Sequence, residues 1–264
     1  MTVLRLAIAG AAGRMGRALI RAIAEADDLA LAGGCERPGA AEVGAPLASL
    51  GGKGEGKVTD APAAAAAQAD VWIDFTTPAA TLAALPAIAG HVKAAVIGAT
   101  GFDAAGERAV ADAARSMAIV KSGNFSLGVN MLAALVREAA ARLGEGWDIE
   151  IVEAHHRRKI DAPSGTALLL GEAAAEGRGE KLGKLPPRDG VTGPRPAGGI
   201  GFAVVRGGGV VGEHEVLFAA EEEVVKLSHV ALDRALFARG ALRAARWAAD
   251  KAPGLYSMRD VLGL

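Results

Sequence analysis

A short apolar strand that ends in three regularly spaced glycines constrains the fold of this chain more than any other feature. Residues 3–9, VLRLAIA, have the character of a buried strand, and Gly10, Gly13 and Gly16 follow before a helix predicted over Arg17–Ala26. Glycines at a strand-to-helix turn let the backbone fold tightly and approach a pyrophosphate at the helix N-terminus. The pattern favours a dinucleotide-binding βαβ unit, although glycine is abundant here, with 36 residues.

The residues after the second predicted strand indicate the type of dinucleotide. Residues 29–34 form an apolar run, and Glu36 follows twenty residues after Gly16. A carboxylate at this distance meets the ribose hydroxyls of NAD in dinucleotide-binding folds. Arg37, beside it, is placed to pair instead with the 2′-phosphate of NADP through its planar guanidinium. We therefore expect the chain to accept either NADH or NADPH; the alternative is a helix-to-strand unit that ends in ordinary surface charges.

Three further strands are predicted in the first half of the chain. They cover residues 69–76, 94–102 and 117–120, and the first two run into turns of small or polar residues. Because segments of helical character separate them, the pattern indicates βαβ units and a doubly wound parallel sheet. Ligands of such sheets lie outside the carboxyl ends of the strands. The turns after these strands should therefore line the same cofactor crevice as the glycine turn.

The second half of the chain is organised differently. We expect helices over residues 127–143, 164–176 and 233–251, and strands over 148–152, 200–206, 212–219 and 222–229. A long exposed loop is expected over residues 177–199, and a short tail over residues 255–264. The strands after Ile149 follow one another around glycine-rich turns, which predicts hairpins and not βαβ units. This favours a separate, smaller domain with an open sheet. Its uncovered face is expected to be an oligomer interface, because an apolar sheet face seldom stays in water.

One segment of this second region, EIVEAHHRRKIDAPSGTA at 150–167, combines proton carriers, cations and a helix start. His155, His156 and Lys159 follow the predicted strand, and Ser164 is a natural N-cap for the next helix. The first N–H groups of a helix are unpaired and form a ready site for a carboxylate. Either feature alone would more often be a solvated basic edge or a simple cap. Together they indicate chemistry on a small acidic substrate.

Composition excludes several other functions. The chain has 29 Lys+Arg against 30 Asp+Glu, and no aromatic residues are interleaved with the basic cluster, so nucleic-acid binding is not expected. Apolar runs of about eighteen residues or more are always broken by a charge, a proline or a polar residue, so no membrane span is expected. Cys35 is the only cysteine, which excludes an internal disulfide and a cysteine-rich metal site. A reduced, cytoplasmic setting fits best, and no metal site is predicted.

The central segment and the glycine turn together resemble a known family. EIVEAHHRRKIDAPSGTA and GAAGRMGR, with GEH at 212–214, FARGAL at 237–242 and PGLYSM at 253–258, are similar to the dihydrodipicolinate reductases of bacterial lysine and diaminopimelate synthesis. The resemblance covers nearly the whole chain. It implies NADH- or NADPH-dependent reduction of 4-hydroxy-tetrahydrodipicolinate (dihydrodipicolinate) to tetrahydrodipicolinate. It also implies a homotetramer built through the small domain.

The resemblance assigns roles to individual residues. The implied catalytic residues are His155, as general acid, and Lys159, as second proton donor or carboxylate partner. The implied substrate contacts are His156 and, as a clamp on a substrate carboxylate, Gly165 and Thr166. The predicted cofactor contacts are the glycine turn, the two charged residues after the second strand, the small residues at the end of the fourth strand and the segment after the fifth strand: Gly10, Ala11, Ala12, Gly13, Arg14, Met15, Glu36, Arg37, Gly98, Ala99, Thr100, Ser122, Gly123, Asn124 and Phe125.

We accordingly predict a Rossmann-type α/β domain with a doubly wound parallel sheet over residues 1–125, completed by residues 235–264. A smaller α+β domain with an open mixed sheet, for substrate binding and oligomerisation, is predicted over residues 126–234. Short-chain dehydrogenases are excluded, because their Tyr-x-x-x-Lys pair is missing: Tyr256 is the only tyrosine and residue 260 is Asp. Aspartate and homoserine dehydrogenases lack the pairing of His-His-Arg-Arg-Lys with Pro-Ser-Gly-Thr. The alternative from another class is a non-catalytic NADPH-binding redox sensor, which should have lost the acid and the anion clamp.

Overall fold

Two sheets organise this protein, each within its own unit. The computed structural model describes residues 3–53 and 56–264. One unit comprises residues 1–126 together with 235–264, and the other comprises residues 127–234.

The first unit alternates strands and helices along the chain. Its elements before residue 127 are β1 (Leu4–Ala9), α1 (Arg14–Ala24), β2 (Leu29–Cys35), α2 (Pro62–Ala66), β3 (Val71–Asp74), α3 (Pro78–Ile88), β4 (Ala94–Ile97), α4 (Ala104–Ala113) and β5 (Ala118–Lys121), with a 3₁₀ turn at Leu47–Leu50. All pairings among β1 to β5 are parallel, as the βαβ pattern predicted.

Some element boundaries in this unit differ from the predicted ones. Helix α1 begins at Arg14 and not at Arg17, because Gly13 already has the extended conformation of an N-cap. Strand β3 ends at Asp74, two residues before the predicted end, because the Asp74 carboxylate accepts hydrogen bonds from the backbone N–H and the hydroxyl of Thr76 at 2.8 and 2.5 Å. Such a turn withdraws the backbone from the sheet and exposes the residues after it.

The second unit contains α5 (Leu127–Leu143), β6 (Asp148–His155), α6 (Gly165–Gly177), β7 (Ile200–Arg206), β8 (Gly212–Ala219) and β9 (Val224–Ala231). The chain then returns to the first unit with α7 (Ala235–Ala248), β10 (Gly254–Tyr256) and α8 (Met258–Leu262). The sequence predicted only a short tail after residue 255. In the structure β10 instead pairs in parallel with β5 and completes a six-stranded sheet of order β10-β5-β4-β3-β1-β2.

Helices cover both faces of this sheet. Alternate side chains of a strand point to opposite faces, and Leu6 and Ile8 of β1 join a buried cluster that includes residues of α1 and α7. Ala7 of β1 and Trp72 of β3 join a second cluster that includes residues of α2, α3 and α4. The predicted doubly wound, Rossmann-type architecture is therefore confirmed.

The second sheet has the order β7-β6-β8-β9 and is mixed, as predicted. The expected hairpin of β7 and β8 is wrong, because β7 pairs in parallel and β8 antiparallel with β6, one on each side. The glycine turn after Arg206 crosses from one side of β6 to the other, and only β8 and β9 form an antiparallel pair of consecutive strands. The segment β6-α6-β7 is thus a βαβ unit, which the turn composition alone did not reveal.

Strand β6 continues three residues beyond its predicted end at Val152. Its burial alternates along its whole length, and Ile149, Ile151, Glu153 and His155 are the buried positions. The first two belong to the core that β6 shares with α5 and α6. The same alternation that builds the core therefore carries a carboxylate and an imidazole to the buried side of the strand.

Candidate active site

A cavity of about 560 Å³ lies in the first unit, where β1, β2 and β3 end. Most of the predicted glycine-turn and charged residues line it. The lining residues are Ala9, Gly10, Ala12, Gly13, Arg14, Met15, Gly16, Glu36, Arg37, Ala40, Ala41, Glu42, Phe75 and Thr76. The volume is in the range of pockets that hold small molecules and cofactors.

The shape of the glycine turn fits a dinucleotide phosphate. Gly10 has a φ of +62°, and a Cβ on Gly16 would lie 2.2 Å from the carbonyl oxygen of Gly10. Side chains at these positions would thus force apart a turn that is packed against the start of α1. Helix α1 has no side-chain cap, and Arg14 and Met15 of its first turn line the cavity. The first N–H groups of a helix attract a phosphate, so the residues present fit a bound nicotinamide dinucleotide.

Two hydrogen bonds connect the glycine turn to the end of β2. The Glu36 carboxylate accepts a hydrogen bond from the Ala12 N–H at 2.8 Å, which holds it at the cavity wall. Ala11 is fully buried, and its N–H donates to the carbonyl oxygen of Cys35 at 3.2 Å. The structure therefore does not bring Ala11, a predicted cofactor contact, to the cavity. Cys35 itself is buried, and burial raises the pKa of its thiol to about 11.

The predicted segments after β4 and β5 do not line this cavity. They are Gly98, Ala99 and Thr100 after β4, and Ser122, Gly123, Asn124 and Phe125 after β5. The two segments come together: the Ser122 N–H donates to Ile97, and a Cβ on Gly123 would lie 3.7 Å from Thr100. Ala99 is buried, so its side chain serves packing.

Phe75 connects these segments with the cavity, and it was not among the predicted contacts. Its ring meets that of Phe125 edge to face at 5.1 Å, and a Cβ on Gly98 would lie 2.2 Å from it. Because ligands of parallel sheets lie outside the carboxyl ends of the strands, the sequence indicated the turn after β3. It did not indicate Phe75 or Thr76 individually. Ala40, Ala41 and Glu42 were also missed, because nothing in their local sequence distinguishes them from an ordinary loop.

In the second unit, Glu153 holds His155 in place. The Nδ1 atom of His155 lies 2.6 Å from one oxygen of the buried Glu153 carboxylate. That carboxylate also accepts two hydrogen bonds of 2.7 Å from Arg206 on β7 and one of 3.0 Å from the Ser164 N–H. Burial alone would raise the pKa of Glu153, but the hydrogen bonds from Arg206, His155 and Ser164 bring it below its usual value. Glu153 is therefore ionised and accepts all four bonds.

Ser164 caps α6 as predicted, and His214 supports the cap. The Ser164 hydroxyl accepts the N–H of Ala167 at 3.1 Å and lies 3.0 Å from Nε2 of His214. Burial, with a further contribution from the nearby His155, lowers the pKa of His214 to about 4. His214 is therefore neutral at pH 7, and its Nε2 shares a hydrogen bond with the Ser164 hydroxyl. Its ring meets that of His155 edge to face at 5.1 Å.

The other predicted substrate residues flank this cluster. Lys159 donates to the Asp161 carboxylate at 2.8 Å, so its ammonium already has an anionic partner. Arg234 lies 2.9 Å from Nε2 of His156. Because a guanidinium can only donate, this nitrogen of His156 is the acceptor. Desolvation and the charge of Arg234 lower the pKa of His156.

Gly165 and Thr166 form the first turn of α6. Gly165 is exposed and Thr166 half-buried. The second unit thus joins an imidazole to a capped helix start at the carboxyl end of β6, through Glu153 and Ser164, and the Lys159 ammonium follows in the loop after this strand.

Comparison with known proteins identifies the family. The family described as "Dihydrodipicolinate reductase, N-terminus" matches residues 4–125, and "Dihydrodipicolinate reductase, C-terminus" matches residues 128–262. The chain belongs to the dihydrodipicolinate reductase family. As a family member it is an oxidoreductase that depends on NADH or NADPH.

Individual dihydrodipicolinate reductases match over almost their full length. The chain is similar to the 4-hydroxy-tetrahydrodipicolinate reductase of Parvibaculum lavamentivorans, with 57% identity over 99% of this chain and 98% of the relative. The enzyme of the same name from Caulobacter vibrioides is 56% identical over 98% of this chain and 97% of the relative. A dipicolinate-bound dihydrodipicolinate reductase from Paenisporosarcina sp. TG-14 has the same fold, with a TM-score of 0.77 and 24% identity over 97% of this chain and 98% of that one.

Residues 3–53 and 56–264 lack two other kinds of site. Within these ranges, no three or more His, Cys, Asp or Glu side chains are grouped so that they could hold a metal ion. Among the helices in the same ranges, none is both long and apolar enough to cross a membrane.

Proposed function

We propose that this protein reduces 4-hydroxy-tetrahydrodipicolinate, or its dehydrated form dihydrodipicolinate, to tetrahydrodipicolinate on the diaminopimelate route to lysine. The relatives named 4-hydroxy-tetrahydrodipicolinate reductase, at 57% and 56% identity, support this substrate. A protein of the same fold has been solved with the related dicarboxylate dipicolinate bound. The observation that carries the proposal is the cluster in which Glu153 joins His155 to the helix start at Ser164.

The first unit is proposed to bind the cofactor, through residues 1–125 and 235–264. The turn from Gly10 to Met15 would hold the pyrophosphate, and Glu36 the ribose hydroxyls. Arg37 would pair with the 2′-phosphate of NADPH, so both cofactors are accepted. The segments 98–100 and 122–125 are assigned to the nicotinamide side. When bound, the nicotinamide supplies the hydride for the ring carbon conjugated with the substrate imine.

His155 is proposed to supply the proton that completes the reduction. Addition of a hydride to the conjugated carbon leaves an electron-rich enamine, which must be protonated at the neighbouring carbon. An imidazolium suits this step because its proton affinity matches neutral pH. General acid catalysis of this kind contributes roughly 10²–10⁴-fold to the rate.

Lys159, His156, Gly165 and Thr166 are proposed to hold the two substrate carboxylates. The start of α6 offers backbone N–H groups, and Thr166 a hydroxyl, for one carboxylate. Lys159, already paired with the Asp161 carboxylate, would exchange this partner for a carboxylate of the substrate and stabilise developing negative charge.

The experiment that tests these roles compares variants in a coupled assay. The substrate is generated in place from pyruvate and aspartate semialdehyde by the preceding synthase, and nicotinamide absorbance is followed. His155→Gln should lower kcat by about 10²-fold or more and change KM far less. Lys159→Met should lower kcat and also weaken binding. His91→Gln, at an exposed histidine of the first unit, is the matched control and should behave as wild type. Near-normal turnover in folded His155→Gln would overturn the acid assignment.

We also propose that residues 126–234 assemble the protein into a homotetramer in the cytoplasm. On the face of the second sheet opposite the buried core, Val205 and Val230 are 52% and 54% exposed, and they flank Ala154 and Glu213 in register. An uncovered apolar face of this kind is typical of an interface. Light scattering should give about four times the 26.5 kDa chain mass, and Val205→Lys should reduce it. A monomeric wild type would overturn this assembly.

A further inference from the structure

We infer that Glu153 is the positioning residue of the general acid: it fixes which nitrogen of His155 delivers the proton and ties that imidazole to the helix start that holds a substrate carboxylate. This inference rests on the proposed function and deepens it, because the roles proposed above do not say which nitrogen of His155 reacts or what selects it. In the sequence motif Glu153 is only one of several charged residues, and Ala154 separates it from the basic cluster.

The position of Glu153 is fixed from three sides. Its side chain has no exposed surface, and it accepts hydrogen bonds from His155 on β6, Arg206 on β7 and the Ser164 N–H at the start of α6. A buried carboxylate with four such bonds cannot reorient without losing several of them. A displacement of Glu153 would therefore move both the acid and the carboxylate clamp.

The contact also selects the tautomer of His155. An ionised carboxylate can only accept, so Nδ1 of His155 carries a proton in both charge states of the ring. This leaves Nε2 as the nitrogen that loses and regains the transferred proton. Gly212 on β8 lies beside it, because a Cβ at that position would be 3.1 Å from Nε2. The GEH motif at 212–214 thus places a residue without a side chain next to the reactive nitrogen and His214 next to Ser164.

The charges around His155 are balanced. Glu153 and Arg206 form a neutral pair, Lys159 and Asp161 form another in the loop after β6, and His214 on β8 is neutral. Loss of the Glu153 charge would leave Arg206 unbalanced and disfavour the imidazolium, whereas loss of Arg206 would favour it. Because a general acid works in its protonated form, the alkaline limb of the pH–rate profile reports this balance.

The test is the pH dependence of kcat/KM in the synthase-coupled assay. The midpoint is the pH at which kcat/KM has fallen to half on the alkaline side of the profile. Glu153→Gln should lower kcat at least about tenfold and move this midpoint to lower pH by about one unit. Arg206→Met should move the midpoint to higher pH. Glu150→Gln is the matched control: it removes a carboxylate from the same strand that pairs with Arg195 at 2.8 Å. The control should leave kcat and the midpoint unchanged. Midpoints for Glu153→Gln and Arg206→Met that stay at the wild-type value, or that move in the same direction, would overturn the inference.

A charge-balanced variant keeps the test decisive if either single variant fails to fold. Glu153→Gln combined with Arg206→Met restores neutrality, so its midpoint should return to the wild-type value while kcat stays low. Recovery of kcat as well would show that Glu153 does not position the acid and would overturn the inference.

A readout without substrate separates this inference from the proposed function. If the wild type itself does not oxidise the cofactor, the proposed function fails, and the tautomer can still be measured by ¹⁵N NMR of histidine-labelled protein. At alkaline pH, where the imidazole ring is neutral, His155 should be protonated on Nδ1 in the wild type and in Glu150→Gln, and should gain the Nε2–H form in Glu153→Gln. An Nε2–H form already dominant in the wild type would contradict the role of Glu153 whatever the activity.

Discussion

His214 should make the second unit sensitive to acid, and a single substitution should remove this sensitivity. The ring is buried between Ser164 and His155, and burial lowers the pKa of His214 from its usual 6.5 to about 4. In His214→Gln, a neutral amide takes the place of the imidazole and can still form a hydrogen bond with the Ser164 hydroxyl. The substitution therefore removes a titrating group and keeps its hydrogen bond.

The expected magnitude follows from the two pKa values. Below pH 6.5 the unfolded chain binds a proton at His214 that the folded protein binds only near pH 4, so stability is complete above 6.5 and is lost as the pH falls toward 4. Integration of this difference gives a loss of about 2 kcal/mol between pH 7 and pH 5, and about 3 kcal/mol in total.

Urea unfolding at pH 7 and pH 5 measures this loss. The fluorescence of Trp147, which packs against the core of the second unit, reports on that unit alone when Trp72 and Trp247 are replaced by Phe in every protein compared. The decline in the free energy of unfolding from pH 7 to pH 5 should be about 2 kcal/mol smaller in His214→Gln than in the parent. His91→Gln, at an exposed histidine, should decline as the parent does. An equal decline in His214→Gln and the parent would show that protonation of His214 does not cause the loss of stability.

Three further predictions concern the first unit. Gly16→Ala places a Cβ 2.2 Å from the Gly10 carbonyl oxygen, so the Kd for NADH in a fluorescence titration should rise about tenfold or more. In the control, Gly146→Ala, the added Cβ meets no atom within 4 Å, and the Kd should stay unchanged. Arg37→Ala should raise the Kd for NADPH about tenfold and that for NADH little, because only NADPH offers a phosphate for the guanidinium; equal losses would contradict this role. Because the pKa of Cys35 is raised to about 11, native protein at pH 8 should react with iodoacetamide about a hundredfold more slowly than unfolded protein, and equal rates would contradict it.

The first unit could be predicted from sequence because its signals are local. The glycine turn and Glu36 lie within the first βαβ unit. Strands and helical segments then alternate along the chain, and the parallel sheet follows from this alternation. Strand β10 was missed, because three residues, Gly254–Tyr256, are too few to show periodicity. Its parallel partner β5 lies more than a hundred residues earlier in the chain, so no local sequence pattern predicts that the two strands pair.

The second unit was predicted less well because its pairing is not local. Turn composition indicated that β7 and β8 were neighbours, but the partner of each is β6, and nothing within the two strands specifies this. For the same reason β6 was expected to end at Val152. A buried glutamate contradicts the usual distribution of charge, and what makes Glu153 tolerable is Arg206, 53 residues later in the chain. The candidate acid was visible in the sequence, whereas its supporting carboxylate became visible only in the structure.

Oxidation of NADH and NADPH by the wild type, while the synthase generates the cyclic substrate in place, decides whether this protein is the proposed reductase. We expect rapid, synthase-dependent loss of nicotinamide absorbance with both cofactors, and no such loss in His155→Gln. Tight binding of the cofactor without any synthase-dependent oxidation would contradict the reductase activity and favour a non-catalytic, NADPH-binding redox sensor.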